Sequence, residues 1–206
     1  NRRDVEQIGV SLTTSNDVLG RSFASSSFFS SGTNNKLTSV NLTTFGFEIE
    51  PIKNLTFQTN LSYRTLKSAS DQFSLDYYTD ATQTTTKSKV KQSEINFVTE
   101  FTPKRRTVGY GVERLEVDNN YARIFLSYSQ GLKGVLNSDF DYQKVQFYYR
   151  QPVLIGGFGR LFSTLELGKT FGQVPLGLMG VIPGNQSYFI IDNTYNLLDY
   201  YDFVAD

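Results

Sequence analysis

Neither cysteine nor histidine occurs in the 206 residues, and tryptophan is missing as well. The first two absences exclude disulfides, thiolate nucleophiles, cysteine- or histidine-ligated zinc and any imidazole acid or base within this chain. A serine triad would lack its base, and no G-x-S-x-G elbow is present. Charge of one sign is not in excess either: 20 Lys and Arg face 20 Asp and Glu. No net field therefore recommends a nucleic-acid partner. Long apolar runs are absent, with nothing approaching the roughly 20 residues of a membrane-spanning helix. That test is blind to strands, which put only every second residue into lipid. The opening "NRRDVEQIG" carries no initiator methionine and no signal peptide. It reads as the start of a piece cut from a longer protein.

What the chain does have is rings: 17 Phe and 13 Tyr. Aromatic and β-branched side chains favour strands. In "LTFQTNLSYRT", Leu55, Phe57, Leu61 and Tyr63 fall on one side of an extended chain, and Gln58, Asn60 and Arg64 on the other, because successive side chains leave a strand on opposite faces. The same alternation recurs at Ile8–Leu12, at Ile95–Phe101, at Ala122–Tyr128, at Val145–Tyr149 and at Leu161–Leu167, and more weakly at Phe73, Leu75 and Tyr77. A change of parity near Thr43 and Thr44 within Val40–Ile49 reads as a bulge. Segments of about 9 to 13 residues suit a tilted strand crossing a bilayer, whereas strands of soluble proteins usually stop at about 5 or 6.

The connections sort into two kinds. "PIKN" (Pro51–Asn54) and "PVLIGG" (Pro152–Gly157) are tight, with Pro where a ladder must end, while Gly20–Lys36 and Lys67–Lys89 are long and polar. The stretch Thr102–Asn120 has room for a short strand pair. Short turns on one rim and long loops on the other are the habit of bacterial outer-membrane barrels. The expected fold is all-β, an antiparallel transmembrane β-barrel in part, with about eight to ten long strands.

On that reading Leu55, Phe57, Leu61, Phe97, Phe101, Ile124, Leu126, Val145 and Phe147 face lipid. The opposite set lines the lumen, with Arg64, Arg123, Arg150 and Arg160 facing Glu94, Glu100 and Glu166. A charge on the lipid face at mid-membrane costs roughly 2 to 4 kcal/mol, and the central parts of these segments place none there. An antiparallel sandwich whose polar face meets water has the same alternation. Several Tyr, among them Tyr77, Tyr121, Tyr128, Tyr142 and Tyr149, fall near segment ends, where an amphipathic ring suits a membrane interface.

The most specific strings come late: "GLKGVLNSDFDYQKV" (Gly131–Val145) and "LELGKTFGQVPLGLMGVIPGNQSYFIIDNTYNLLDYYDFVAD" (Leu165–Asp206). Together they resemble a family of Bacteroidetes outer-membrane proteins of unknown function. The resemblance implies a carboxypeptidase-regulatory-like domain upstream and a large barrel distantly similar to the surface-antigen superfamily of barrel-assembly factors. It also implies that residues 1–206 are a single barrel segment, an interior and incomplete portion. Within it, 170–206 forms a constrained loop region after the last clear strand, where Gly172, Gly177, Gly180, Gly184, Pro175 and Pro183 break any ladder.

Other chemistry is thin. Asp139 with Asp141, and Asp192, Asp199, Asp202 and Asp206, form acidic clusters without calcium-loop spacing, and "GGFGR" (Gly156–Arg160) is a turn rather than a dinucleotide loop. The expectation is a non-enzymatic outer-membrane protein with a structural or envelope-assembly role, no cofactor and no metal. Its partners would be outer-membrane lipid and other outer-membrane proteins in a complex. Two further readings stand beside it, a transport or secretion pore and a soluble β-sandwich that binds glycans through its Ser/Thr/Tyr-rich loops.

Overall fold

The computed structural model describes residues 7–19, 36–79, 82–109, 115–182, 184–185, 194–198 and 201–205. Seven long strands dominate: β1 (Gln7–Leu19), β2 (Thr38–Ile52), β3 (Leu55–Ser68), β4 (Lys89–Phe101), β5 (Arg123–Gly131), β6 (Gln143–Leu154) and β7 (Arg160–Phe171). They make one antiparallel sheet whose spatial order is the chain order. Each strand pairs with the next in sequence, the arrangement that reverse connections most simply produce. Helix among the described residues is confined to three-residue 3-10 turns. The fold is all-β, as the dyad pattern requires.

The sheet is open among the described residues: β1 pairs only with β2, and β7 only with β6. Seven long strands lie among the described residues, where about eight to ten were expected of the chain. The segment around Phe73, Leu75 and Tyr77 is not a long strand but a loop carrying a two-residue pair, Tyr77–Tyr78 with Thr86–Lys87. Its apolar residues serve loop packing: Leu75 is buried, Phe73 stacks on Tyr201 with ring centroids 5.1 Å apart, and Tyr77 meets Phe140 at 5.0 Å.

The expected bulge near Thr43 and Thr44 is also absent. β1 and β2 stay in register from Leu19 opposite Thr38 to Gln7 opposite Glu50, and the irregularity lies instead between Ile49 and Ile52 against β3. Parity of hydrophobicity changes along β2 because each face is apolar at a different end. Phe45, Phe47 and Ile49 lie on one face, while Val40 lies on the other and packs on a small core of Leu66, Val90, Tyr142 and Leu178. That core closes one end of the polar face.

Connection lengths follow the expected sorting, with one exception. Turns 53–54 and 155–159 are tight, and the third connection on that rim, 102–122, contains the paired dipeptides Thr107–Val108 and Leu115–Glu116. Pro51 and Pro152 sit just beyond the pairing of β2 with β1 and of β6 with β5, where a missing N–H costs nothing. The opposite rim carries 69–88 and 132–142; most of the long connection Gly20–Lys36 lies outside the described residues. After β7 the chain turns at Gly172 (φ 107°) and runs back over the polar face. Leu178 joins the core beside Leu66 of β3, and Gly177 lies so close that a Cβ there would approach Leu66 to 3.3 Å. Farther along, Tyr201 pairs with Thr38 of β2 at 3.2 Å and Asp202 with Lys36 at 2.6 Å. The described stretches after β7, chiefly 172–182 and 201–205, thus form a strap reaching from β7 across to β2. Only Gly172 of its described glycines needs a positive φ; Gly177 and Gly184 are there for close approach.

Candidate functional site

The register divides the sheet into two chemically different faces. One row runs Val10, Phe47, Thr59, Phe97, Tyr128, Val145, and its neighbours run Leu12, Phe45, Leu61, Ile95 and Ile49, Phe57, Thr99, Leu126, Phe147, Leu167. All nine residues expected to face lipid, Leu55, Phe57, Leu61, Phe97, Phe101, Ile124, Leu126, Val145 and Phe147, share this face. It is uncovered: Leu12 is 73% exposed, Leu61 48% and Phe97 45%. Among the described residues no second sheet lies on it. Its only charged residues are Lys67, Lys89, Lys91 and Lys169, all toward the long-connection end of their strands.

On β3 the uncharged stretch of this face runs from Leu55 to Thr65 and stops at Lys67. Ten steps at about 3.4 Å make about 34 Å along the strand. A tilt near 40° reduces that to about 26 Å, close to the roughly 25 Å apolar band of outer-membrane barrels.

The other face is a hydrogen-bonded polar layer. Gln58 donates to Asn60 (3.2 Å), Asn60 to Asn96 (3.4 Å), and Asn96 to both Ser127 and Ser129 (2.8 Å each), a chain that crosses β3, β4 and β5. Toward the long-connection end, Arg64 Nη2 donates to Glu94 Oε2 (2.8 Å) and to the Tyr142 hydroxyl (2.7 Å), and that hydroxyl donates to Glu94. Gln92 is fully buried beside them, donating to the carbonyls of Ser93 and Phe140. At the opposite end Glu50, also buried, takes hydrogen bonds from Arg105 Nη2 and the Asn54 amide, both 2.7 Å. This ties turn 53–54 to the connection after β4. A buried polar layer stays stable only when its members are paired in this way.

Of the residues expected to line a lumen, Arg64, Glu94, Glu100, Arg123, Arg150, Arg160 and Glu166 all lie on this polar face. Only Arg64 and Glu94 form a pair. None of the other arginines closes an ion pair with Glu100 or Glu166: the register sets Arg123 directly opposite Arg150, and Glu100, diagonal to Arg123 on the same face, attracts it without a bond. Arg123 bonds instead to Glu116 (3.3 Å) and the Tyr121 hydroxyl (2.6 Å), Arg160 bonds to Asn119 (2.5 Å), and Arg150 stacks on Phe162. Burial and its bond to Glu116 raise the Tyr121 hydroxyl above its ordinary range, against the pull of Arg123.

The sequence reading missed Tyr142 and Gly131 as a unit. Tyr142 belongs to the inner layer and Tyr121 is buried too, so neither sits at an interface in the manner expected of strand-end tyrosines. A cavity of about 440 Å3 opens between β6, β7 and the strap, lined in part by Lys144, Gln146, Tyr148 and Glu166.

A family model described as "Family of unknown function (DUF5686) C-terminal domain" matches residues 22–206. The chain belongs to this family. The matched span takes in β2 to β7 and the strap, including both strings on which the resemblance rests. No curated protein and no solved structure matches the chain.

Proposed function

We propose that this sheet is part of the wall of an outer-membrane β-barrel, with the apolar face in hydrocarbon and the polar face turned to a lumen. Its role is structural or in envelope assembly, alone or within a larger outer-membrane complex, without catalysis in this chain. One observation carries the reading. Seven neighbouring strands present a continuous apolar face with no charge in its middle and, among the described residues, no protein layer over it. Monomeric soluble proteins rarely expose an apolar patch of more than a few hundred Å2. Backbone groups on the free edges of β1 and β7 would be untenable in hydrocarbon, so the reading requires further strands to close the sheet. The Bacteroidetes envelope is where the resemblance in the C-terminal strings puts such a barrel.

The strap favours a plugged interior over an open pore, since Leu178, Gly177 and Tyr201 bring it against β2 and β3 across the polar face. Heat-modifiable migration of the full-length protein in detergent, together with its recovery in the outer-membrane fraction, is the expected result. A protein that stays monomeric and soluble without detergent would defeat the proposal. Planar-bilayer recordings are expected to show little conductance; a large, steady conductance would favour the pore.

A further inference from the structure

We propose that the short-connection end of the polar face holds a binding site for a phosphate-sized anion, built by Arg123 and Arg150 with Arg160 beside it. The site stands on the polar face's own geometry and does not depend on what the opposite face meets.

The register places Arg123 directly across the β5–β6 ladder from Arg150. Like charges in that position repel and destabilise a sheet unless something compensates them. A third guanidinium joins from β7: Arg150 and Arg160 both lie over the ring of Phe162, with centroid distances of 4.6 and 5.9 Å. Arg123 lies over the ring of Tyr121 at 5.2 Å. Compensation by protein groups is partial. Arg123 has Glu116 at 3.3 Å and the attraction of Glu100, Arg160 bonds to the neutral amide of Asn119 with the Asp118 carboxylate nearby, and Arg150 makes neither a hydrogen bond nor an ion pair among the described residues.

Beside them opens a cavity of about 200 Å3 lined by Asn119, Tyr121, Arg123, Arg150, Pro152 and Phe162, with no carboxylate on its wall; Arg160 stands behind that wall, against Phe162 and Asn119. The aromatic rings occupy guanidinium faces through cation–π contact, which leaves the N–H edges as donors. A guanidinium edge matches the paired oxygens of phosphate, and two such edges accept a tetrahedral anion between them. The volume falls below the roughly 300 Å3 at which drug-sized ligand pockets begin. It suits inorganic phosphate or the terminal phosphate of a monoester whose remainder stays outside.

Phenylglyoxal modification of the full chain in detergent, read residue by residue by mass spectrometry, tests the site directly. With inorganic phosphate against chloride of equal ionic strength, Arg150 is expected to react several-fold more slowly, while Arg106, exposed and paired with Asp118 outside the cavity, is unchanged. In calorimetry Arg150→Gln is expected to weaken phosphate binding about tenfold, the scale of one charged hydrogen bond. Glycerol phosphate run in parallel separates the two sources: tighter protection by the ester means the anion arrives on a larger molecule, and tighter protection by the free ion means it arrives alone. Equal modification of Arg150 with and without either phosphate would overturn the site, and so would undiminished binding by a folded Arg150→Gln protein. The protection measurement uses the unaltered chain and decides the matter even if the variant does not fold.

Discussion

The ring of Tyr142 lies over Gly131, and its hydroxyl reaches past that glycine to join Arg64 and Glu94. A Cβ at position 131 would stand 2.5 Å from the ring carbons, so the glycine is what lets a residue of the 132–142 connection lock onto two strands beyond its own neighbour. Aromatic cover of a strand glycine is a recognised way to pin register. Gly131→Ala is expected to destabilise the protein by about 1 to 3 kcal/mol, the usual cost of forcing extra atoms into a packed site. Tyr142→Phe keeps the ring and loses the hydroxyl, for about 1 to 2 kcal/mol. Urea or guanidinium unfolding in detergent micelles measures both; a neutral Gly131→Ala would mean the ring is free to move.

At the opposite end, Glu50 and Arg105 form the buried counterpart of that lock. Removing one member of a buried pair strands the other, so Glu50→Ala is expected to cost about 3 kcal/mol or more. The double variant Glu50→Ala with Arg105→Met should recover part of the loss. A double-mutant cycle with no coupling would show that the pair contributes nothing.

Acid should loosen the long-connection rim through Asp139. Burial raises the pKa of this carboxyl, but the Lys91 amide (2.9 Å) and the Lys87 ammonium (3.0 Å) outweigh it and hold the group below the ordinary aspartate value. A carboxylate with a depressed folded pKa gives its full stabilisation above the unfolded pKa and loses it as pH falls through the folded one. Hydrogen-exchange protection of the 132–142 connection should therefore be flat from neutrality down to about pH 5 and fall below about pH 4. Asp139→Asn should start from lower protection and lack that acid-dependent fall; an unchanged acid response in the variant would assign it elsewhere.

The strap makes a prediction about protease access. Leu178 is buried against Leu66, Val90 and Tyr142, so Leu178→Ala should release residues 173–182 with a local cost of about 2 to 4 kcal/mol. Limited proteolysis is expected to cut that stretch much faster in the variant while the strands stay protected. Equal cleavage in both proteins would mean the strap is not held by this contact.

Strand type and which residues share a face were legible because they need only period-two alternation, which seven segments supply. Two features were not. The apparent bulge near Thr43 arose because Val40, Leu66 and Val90 are apolar on the polar face, under loops whose return no local pattern announces. Of the expected Arg–Glu contacts only Arg64 with Glu94 closes to an ion pair, since which inner residues stand opposite depends on register, and register is set by turn geometry and bulges far from the charges.

Charge tolerance should depend on depth. Leu61→Arg, in the middle of the apolar face, is expected to cost about 2 to 4 kcal/mol in a bilayer, and Thr65→Arg, next to Lys67, about 0 to 1. Folding titrations in vesicles measure the difference; equal costs would argue that the face meets water.

The cysteine-free sequence permits the most direct test of the central claim, because a single introduced thiol carries the only spin label. Labels placed one at a time along Leu55–Thr65 in the full-length protein, reconstituted in lipid vesicles, report collisions with oxygen, which concentrates in hydrocarbon, and with a water-soluble nickel chelate. The account predicts a period of two, with oxygen favoured at Leu55, Phe57, Thr59, Leu61 and Tyr63 and depressed at Gln58, Asn60 and Ser62. Nickel access on the Leu55–Tyr63 side equal to that of a solvated loop, or no access of either reagent there, would contradict it.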